Sequence, residues 1–383
     1  SLGKKRKNYL EAEAQAFAEL SQTHQSKNLL NLFDLQDQAK KQRELSGDLG
    51  SVQKSAVLGA GTMGGGIAWL MAKNNQSPLM KDISDAGLNL GLKQSSDIFK
   101  RSLKRRSISQ DEYIRLQTSI TPTKNFKAFK SVDLCVEAIV ENMNIKKSVL
   151  LEAESFMKEG SLLTSNTSSL SVTEMARDLK RPEDFGGLHF FNPVNKMPLV
   201  EIVTHDKMNT ESINRLYNWC LDVKKVPVVV KDGPGFLVNR ILAPFLNEAS
   251  FLLEEGVSIE TLDKALVNFG MPMGPCRLMD EVGLDVCVHV SDVMYEGLGQ
   301  RMAPSKACKK AVGLDFLGKK NKKGFYLYDD QGKSLGVNQE ILKAMDIEKS
   351  TELDERTIQM RLILPMINEA FYILEQGLVE SAR

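Results

Sequence analysis

Residues 55–68 read Ser-Ala-Val-Leu-Gly-Ala-Gly-Thr-Met-Gly-Gly-Gly-Ile-Ala, and the fold is decided there. Gly59, Gly61 and Gly64 form G-x-G-x-x-G between an apolar run and a helical pattern. Asp82 lies 23 residues after Gly59, where a second strand would end. Strand, glycines, helix and acid in this order are the signature of a dinucleotide-binding βαβ unit. Gly59 permits the tight turn, Gly61 lets backbone approach a diphosphate, and Gly64 lets the helix pack on the strand. The diphosphate then meets the free amides and positive end of a helix.

Outward from this turn, strand and helix alternate. Expected strands are Ala56–Leu58, Leu79–Lys81, Asp133–Glu137, Leu162–Thr164, Gly187–Phe191, Leu199–Val203 and Pro227–Val230. Helical patterns lie between them, and the rhythm argues a Rossmann-type, doubly wound parallel sheet. The long charged stretch 85–117 exceeds an ordinary crossover and is expected to project as a helical hairpin. After Lys231-Asp232-Gly233-Pro234-Gly235 the strands largely stop, and apolar residues from Leu237 to Leu253 recur at helical spacing. The expected organisation is a helical connector over 1–50, a nucleotide-binding domain over 51–232, and an all-α domain over 233–383. Helices are expected at Ile259–Phe269, Leu278–Leu298 and Ser305–Val312 in the last of these.

One internal repeat stands out. Arg240–Gly256 reads RILAPFLNEASFLLEEG and Arg361–Gly377 reads RLILPMINEAFYILEQG, with eight of seventeen positions identical. Pro244 and Pro365 correspond, as do the Asn-Glu-Ala triplets after them. The repeats are read as 233–328 and a truncated 356–383, so the chain is expected to be a fragment of a longer protein.

Bulk properties narrow the function. The 383 residues carry 50 basic and 49 acidic side chains, a net charge of +1 that argues against nucleic acid as partner. Five cysteines without a C-x-x-C motif fit buried thiols in a reducing compartment, expected to be the cytoplasm. Four scattered histidines offer no metal site, and no apolar run is long enough to span a membrane.

Three segments add chemistry to the cofactor fold. Ser165-Asn166-Thr167-Ser168-Ser169 follows a strand, and its hydroxyls either hold a substrate oxygen or cap the next helix. His189-Phe190-Phe191-Asn192-Pro193 puts a histidine at a strand end, either for proton transfer or as a structural residue. Glu201 lies within an otherwise apolar strand, where a carboxylate is costly unless paired. His189 is its natural partner. Oxidising an alcohol needs an acceptor for a proton as well as for a hydride. Histidine titrates near pH 6.5 and can take the proton, while a carboxylate on its other nitrogen fixes the tautomer.

The set GAGTMGGGIA, VEAIVEN (136–142), SNTSSL (165–170), HFFNPV (189–194), LVEIV (199–203) and KDGPGFLVNR (231–240) resembles the L-3-hydroxyacyl-CoA dehydrogenase family. The resemblance runs from residue 52 to the end, and is nearest to the dehydrogenase part of bacterial multifunctional fatty-acid oxidation alpha subunits. It implies NAD-dependent oxidation of L-3-hydroxyacyl-CoA to 3-ketoacyl-CoA. It implies His189 as catalytic base and Glu201 as its partner, with Ser168 and Asn239 on the substrate's oxygens. It further implies that Gly59, Gly61, Met63, Gly64, Asp82, Val140, Glu141, Lys146, Ser168 and Asn192 line the NAD site. A thiolase subunit as partner and a tendency to dimerise belong to the same resemblance. So does a lysine near the cofactor in a Gly-Lys-Gly-Phe-Tyr-like segment. Here residues 319–326 carry Lys322 where glycine is usual, which leaves that assignment open. Asp82 is expected to favour NAD over NADP by bonding ribose hydroxyls. The basic run Lys100–Arg106 is either a solvated face or a contact for coenzyme A phosphates. Two rival readings share parts of the pattern: a 6-phosphogluconate-type dehydrogenase, which uses a lysine where this chain offers His189, and a non-catalytic binding module.

Overall fold

The strand that ends in Gly59 lies at the centre of an eight-stranded sheet. A computed structural model describes residues 2–41, 52–348 and 350–382. Helices α1 (Leu2–Ser21) and α2 (His24–Lys41) come first, and α2 packs near the sheet's far edge. The rest of the expected connector, residues 42–50, lies outside the described residues. The first half of the sheet domain contains β1 (Ser55–Leu58), α3 (Thr62–Lys73), β2 (Leu79–Lys81), α4 (Asp85–Lys104), α5 (Gln110–Thr118) and β3 (Thr121–Thr123). Its second half contains β4 (Leu134–Glu137), α6 (Met143–Phe156), β5 (Leu162–Ser165), α7 (Val172–Ala176), β6 (Phe185–Phe190), β7 (Leu199–Thr204), α8 (Thr210–Asp222) and β8 (Val226–Lys231).

The strand order is β3-β2-β1-β4-β5-β6-β7-β8. Order reverses between β1 and β4, so a crevice opens beyond the carboxyl ends of these two strands, where ligands of such sheets bind. Alternate residues serve opposite faces. Val57, Leu134, Val136, Leu188 and Val200 pack with α3, α4 and α8. Ala56, Leu58, Cys135, Leu163 and Val203 pack with α6 and α7. Both faces being covered explains why these strands read as apolar runs.

The sheet departs from the expected parallel pattern in two ways. β3, a Thr-Pro-Thr edge strand, is absent from the expected set; its proline and its exposed residues give no strand signal. β6 and β7 run antiparallel, with His189 directly opposite Glu201. Only residues 191–198 join them, too few for a crossover to a parallel strand.

The second half of the molecule is helical: α9 (Val238–Glu254), α10 (Ile259–Phe269), α11 (Pro275–Val282), α12 (Leu284–Leu298), α13 (Ala307–Gly313), α14 (Gln339–Ala344) and α15 (Glu355–Glu375). It is not entirely α: a hairpin of β9 (Tyr326–Tyr328) and β10 (Ser334–Val337) follows α13. The single helix expected over 278–298 is two, because the chain turns at Gly283 with φ 102°. Helices α9 and α15, the repeated segments, lie against each other. Arg240 Nε donates to Glu369 at 2.7 Å, and Arg361 Nε donates to Glu248 at 2.7 Å. Those four residues are equivalent pairs in the repeat, so the contact has pseudo-twofold symmetry.

Candidate active site

The glycine turn is shaped as a cradle. Gly59 has φ 91°, and a Cβ there would come within 2.5 Å of the Ala138 carbonyl at the end of β4. A Cβ on Gly64 would overlap the Gly59 carbonyl at 1.9 Å, whereas one on Gly61 meets nothing within 4 Å. Gly61 is the N-cap of α3 and no side chain caps that helix. Free amides and helix dipole therefore face an open spot, which suits an anion. Met63 stands half-buried in the first turn of α3. Asp82 follows β2 and accepts from Ala60 N at 2.9 Å and from Ser84 N at 3.0 Å. Burial pulls its carboxyl upward, but the amides of Ala60 and Ser84 outweigh that and hold it below the usual carboxylate range. The residues present therefore fit a dinucleotide: open amides for the diphosphate and a charged acid beside them for a ribose.

Beyond β4 the chain carries Val140, which is exposed, and Glu141. Glu141 is a hub. It accepts from Thr167 Oγ1 at 2.6 Å, Ser168 N at 3.1 Å, and Ser169 Oγ at 3.3 Å. Lys146 Nζ lies 3.2 Å from its other oxygen. Burial works against ionisation of Glu141, yet Lys146 and the Thr167 hydroxyl hold its pKa below the usual value. Lys146 itself is 1 % exposed and also pairs with buried Glu137 at 2.7 Å. It stands behind Glu141 rather than in the open crevice. Glu137 was not among the expected site residues. It accepts from Ile139 N at 2.7 Å and Ser165 Oγ at 2.5 Å, and so joins the ends of β4 and β5.

His189 and Glu201 meet across the antiparallel pair. Their register places both side chains on one face of the sheet. Nδ1 of His189 lies 2.5 Å from Oε2 of Glu201, and both residues are buried. A carboxylate only accepts, so Nδ1 donates this hydrogen bond, and in the neutral imidazole Nε2 is then the nitrogen with the free lone pair. Nε2 has no hydrogen-bond partner among the described residues. The imidazole is walled by Phe191, with ring centroids 4.5 Å apart, and by Phe236 at 5.9 Å. The second oxygen of Glu201 accepts from Leu237 N at 3.0 Å and Val238 N at 2.9 Å. Helix α9 has no cap of its own there, so Glu201 caps it from the neighbouring domain.

Two residues on, Asn239 Nδ2 donates to the Ser168 carbonyl at 3.1 Å. One chain of contacts thus runs His189, Glu201, the start of α9, Asn239, Ser168, Glu141, Lys146. Asn192 stands exposed just after β6, on the loop leading to β7. His289 of α12, absent from the expected set, has Nε2 3.5 Å from Ser169 Oγ and adds a further contact between the domains. Its only sequence signal is one histidine in an apolar helix, which reads as core.

The lysines of 319–326 are engaged elsewhere. Lys322 has φ 66°, which explains why glycine suits that position, and its ammonium pairs with Asp330. Lys319 pairs with Glu281 at 2.7 Å, and Lys320 with Asp285. Among the described residues no cluster of His, Cys, Asp or Glu could hold a metal ion, and no helix is long and apolar enough to cross a membrane.

Comparison with known proteins shows the family. Residues 54–233 match the family described as "3-hydroxyacyl-CoA dehydrogenase, NAD binding domain", and residues 235–328 its "C-terminal domain". The chain is 41 % identical, over 98 % of its length, to 54 % of a fatty acid oxidation complex subunit alpha of Idiomarina loihiensis. It therefore spans about half the length of the curated relatives it matches. The (S)-3-hydroxybutyryl-CoA dehydrogenase of Ralstonia eutropha is similar with TM-score 0.70 and 32 % identity, covering 73 % of this chain and all of that one. The 3-hydroxybutyryl-CoA dehydrogenase of Escherichia coli K12 is similar with TM-score 0.76 and 27 % identity, covering 86 % of each chain.

Proposed function

We propose, for a chain that belongs to the 3-hydroxyacyl-CoA dehydrogenase family, an NAD-dependent oxidation of L-3-hydroxyacyl-CoA to 3-ketoacyl-CoA. NAD, when bound, supplies the hydride acceptor. The amides at the start of α3 hold its diphosphate and Asp82 its ribose, while Val140, Glu141 and Asn192 line the remainder of the site. Nε2 of His189 takes the hydroxyl proton. Glu201 keeps the tautomer that leaves Nε2 free and stabilises the imidazolium that forms. The buried pair excludes water, and the two aromatic walls fix the ring's plane. Ser168 and Asn239 hold the substrate oxygens, Asn239 oriented by the Ser168 carbonyl and Ser168 by Glu141.

The observation that carries this reading is the register of His189 against Glu201, with Glu201's other oxygen on the first amides of α9. The test is NADH formation from a short and a long L-3-hydroxyacyl-CoA, set against free 3-hydroxy acids. Turnover of the thioesters alone is expected. Equal turnover of the free acids, or none of either while NAD binds, would overturn it.

The reaction is read as a step of fatty-acid degradation, a reading supported by relatives named as fatty acid oxidation complex alpha subunits. The chain is read as the dehydrogenase portion of such a multifunctional subunit, with a thiolase subunit as partner and dimer formation through the helical half. Five free thiols suit a reducing, cytoplasmic setting.

A further inference from the structure

The loop between β6 and β7 is held from inside by a cation. Lys225, the residue before β8, is 6 % exposed. Its ammonium donates to the Val194 carbonyl at 2.5 Å and the Met197 carbonyl at 2.6 Å. The titratable groups around it are the buried Cys220 thiol of α8 and Lys73 at the end of α3. Burial pushes the Lys225 ammonium down to about 8; the repulsion of Lys73 acts in the same sense and Cys220 against it. A buried cation without a carboxylate is costly, and a methionine would fill the same volume. A methionine would leave two carbonyls without donors.

What the clamp holds is informative. Lys196 N and Met197 N both bond to the Pro193 carbonyl, so residues 193–197 form one turn. Val194 is buried against Gly66 of α3, where a Cβ would come within 3.0 Å of it. The clamped turn therefore lies between the helix that follows the glycine turn and the last strand. It begins directly after Asn192, itself three residues from His189.

We propose that Lys225 is a positioning residue whose ammonium holds the 192–197 turn, and with it Asn192, in place for the cofactor. This rests on the reading of Asn192 as part of the NAD site. Loss of the ammonium weakens cofactor binding and leaves the His189–Glu201 pair untouched. The probe is NADH, titrated by its fluorescence against the full chain. Lys225→Met is expected to raise the Kd for NADH roughly 10- to 100-fold, from two buried acceptors left without donors. At saturating NAD its kcat is expected to stay within about threefold of the parent. In the parent protein NADH affinity is expected to fall as pH rises through about 8, because the neutral amine donates weaker hydrogen bonds to the two carbonyls than the ammonium does. That limb is expected to vanish in Lys225→Met. A folded Lys225→Met that binds NADH within about twofold of the parent, or that keeps the alkaline limb, overturns the proposal. If Lys225→Met does not fold, NADH affinity in the parent that is flat across that pH range overturns it. Failure of the underlying reading looks different: the parent itself would not bind NADH, or Asn192→Ala would bind it normally.

Discussion

Helices α9 and α15 are the same segment used twice, and they differ most at their first turns. Along the seam they are equivalent. Arg240 reaches Glu369 and Gln376, while Arg361 reaches Glu248 and Glu255, so each arginine grips the matching pair on the other helix. At their starts they diverge. Helix α15 is capped by its own Asp354, which accepts from Thr357 N at 3.0 Å. Helix α9 has no cap of its own and takes Glu201 from the sheet. Asn239, which bonds to Ser168, has Met360 as its counterpart. The flanks differ too. Ala243 packs with Met294 and Met302, whereas its counterpart Leu364 is 54 % exposed. Duplication therefore provides an interface, while the open start of α9 takes a carboxylate from another domain and the start of α15 does not need one.

The sharpest way to break this contrast is at the imidazole. His189→Gln is expected to lower turnover about 10²–10⁴-fold with NADH affinity retained; near-parental turnover would remove His189 as the base. Next come the two caps. Glu201→Gln is expected to cost at least ~10²-fold in turnover, because it loses both the tautomer lock and the charge on α9. Asp354→Ala, its counterpart on α15, is expected to lower the melting temperature slightly and leave kcat alone. Similar losses of turnover in both variants would dissolve the distinction between the helix starts.

The seam can be tested by stability. Arg240 is 1 % exposed, and Arg240→Met leaves Glu369, among the described residues, with the partly exposed Arg301 as its cation. A cost of about 3 kcal/mol is expected by urea denaturation. Arg361→Met, at the more exposed end, is expected to cost about 1 kcal/mol. Equal costs would mean that the seam is symmetric in energy as well as in shape. The last test lies in the first half of the sheet, just after β2. Asp82→Ala is expected to narrow the preference for NAD over NADP roughly tenfold, measured as a ratio of kcat/KM values. An unchanged ratio would take Asp82 off the ribose.

Much of the fold was legible because its signals are local. The glycine turn, the apolar strands and the helical spacing after Gly235 are each contained within a short window. Strand direction is not. The eight residues between Phe190 and Leu199 exclude a parallel crossover, but that follows only once both strands are placed. The hairpin of β9 and β10 was hidden because its short strands are mostly half-buried or exposed and lack the buried apolar run that marks the equally short strands of the sheet. In the candidate site, residue types could be read where chemistry made them conspicuous, as with a glutamate inside an apolar strand. Partners distant in sequence could not. Nothing near Lys225 announces that its ammonium reaches back to Val194 and Met197, and nothing near Glu137 announces Lys146. A buried lysine in sequence looks like any surface lysine.

Phe236 sits at φ 53° between the last strand and α9, an uncommon backbone conformation for a bulky residue, with its ring edge on His189. The tether that joins the two lobes is thus also a wall beside the His189 imidazole. Any swing that parts the lobes must draw the Leu237 and Val238 amides off Glu201 and slide that aromatic edge along the imidazole. In this architecture the junction of the two lobes and the setting of the His189–Glu201 pair are therefore one structure.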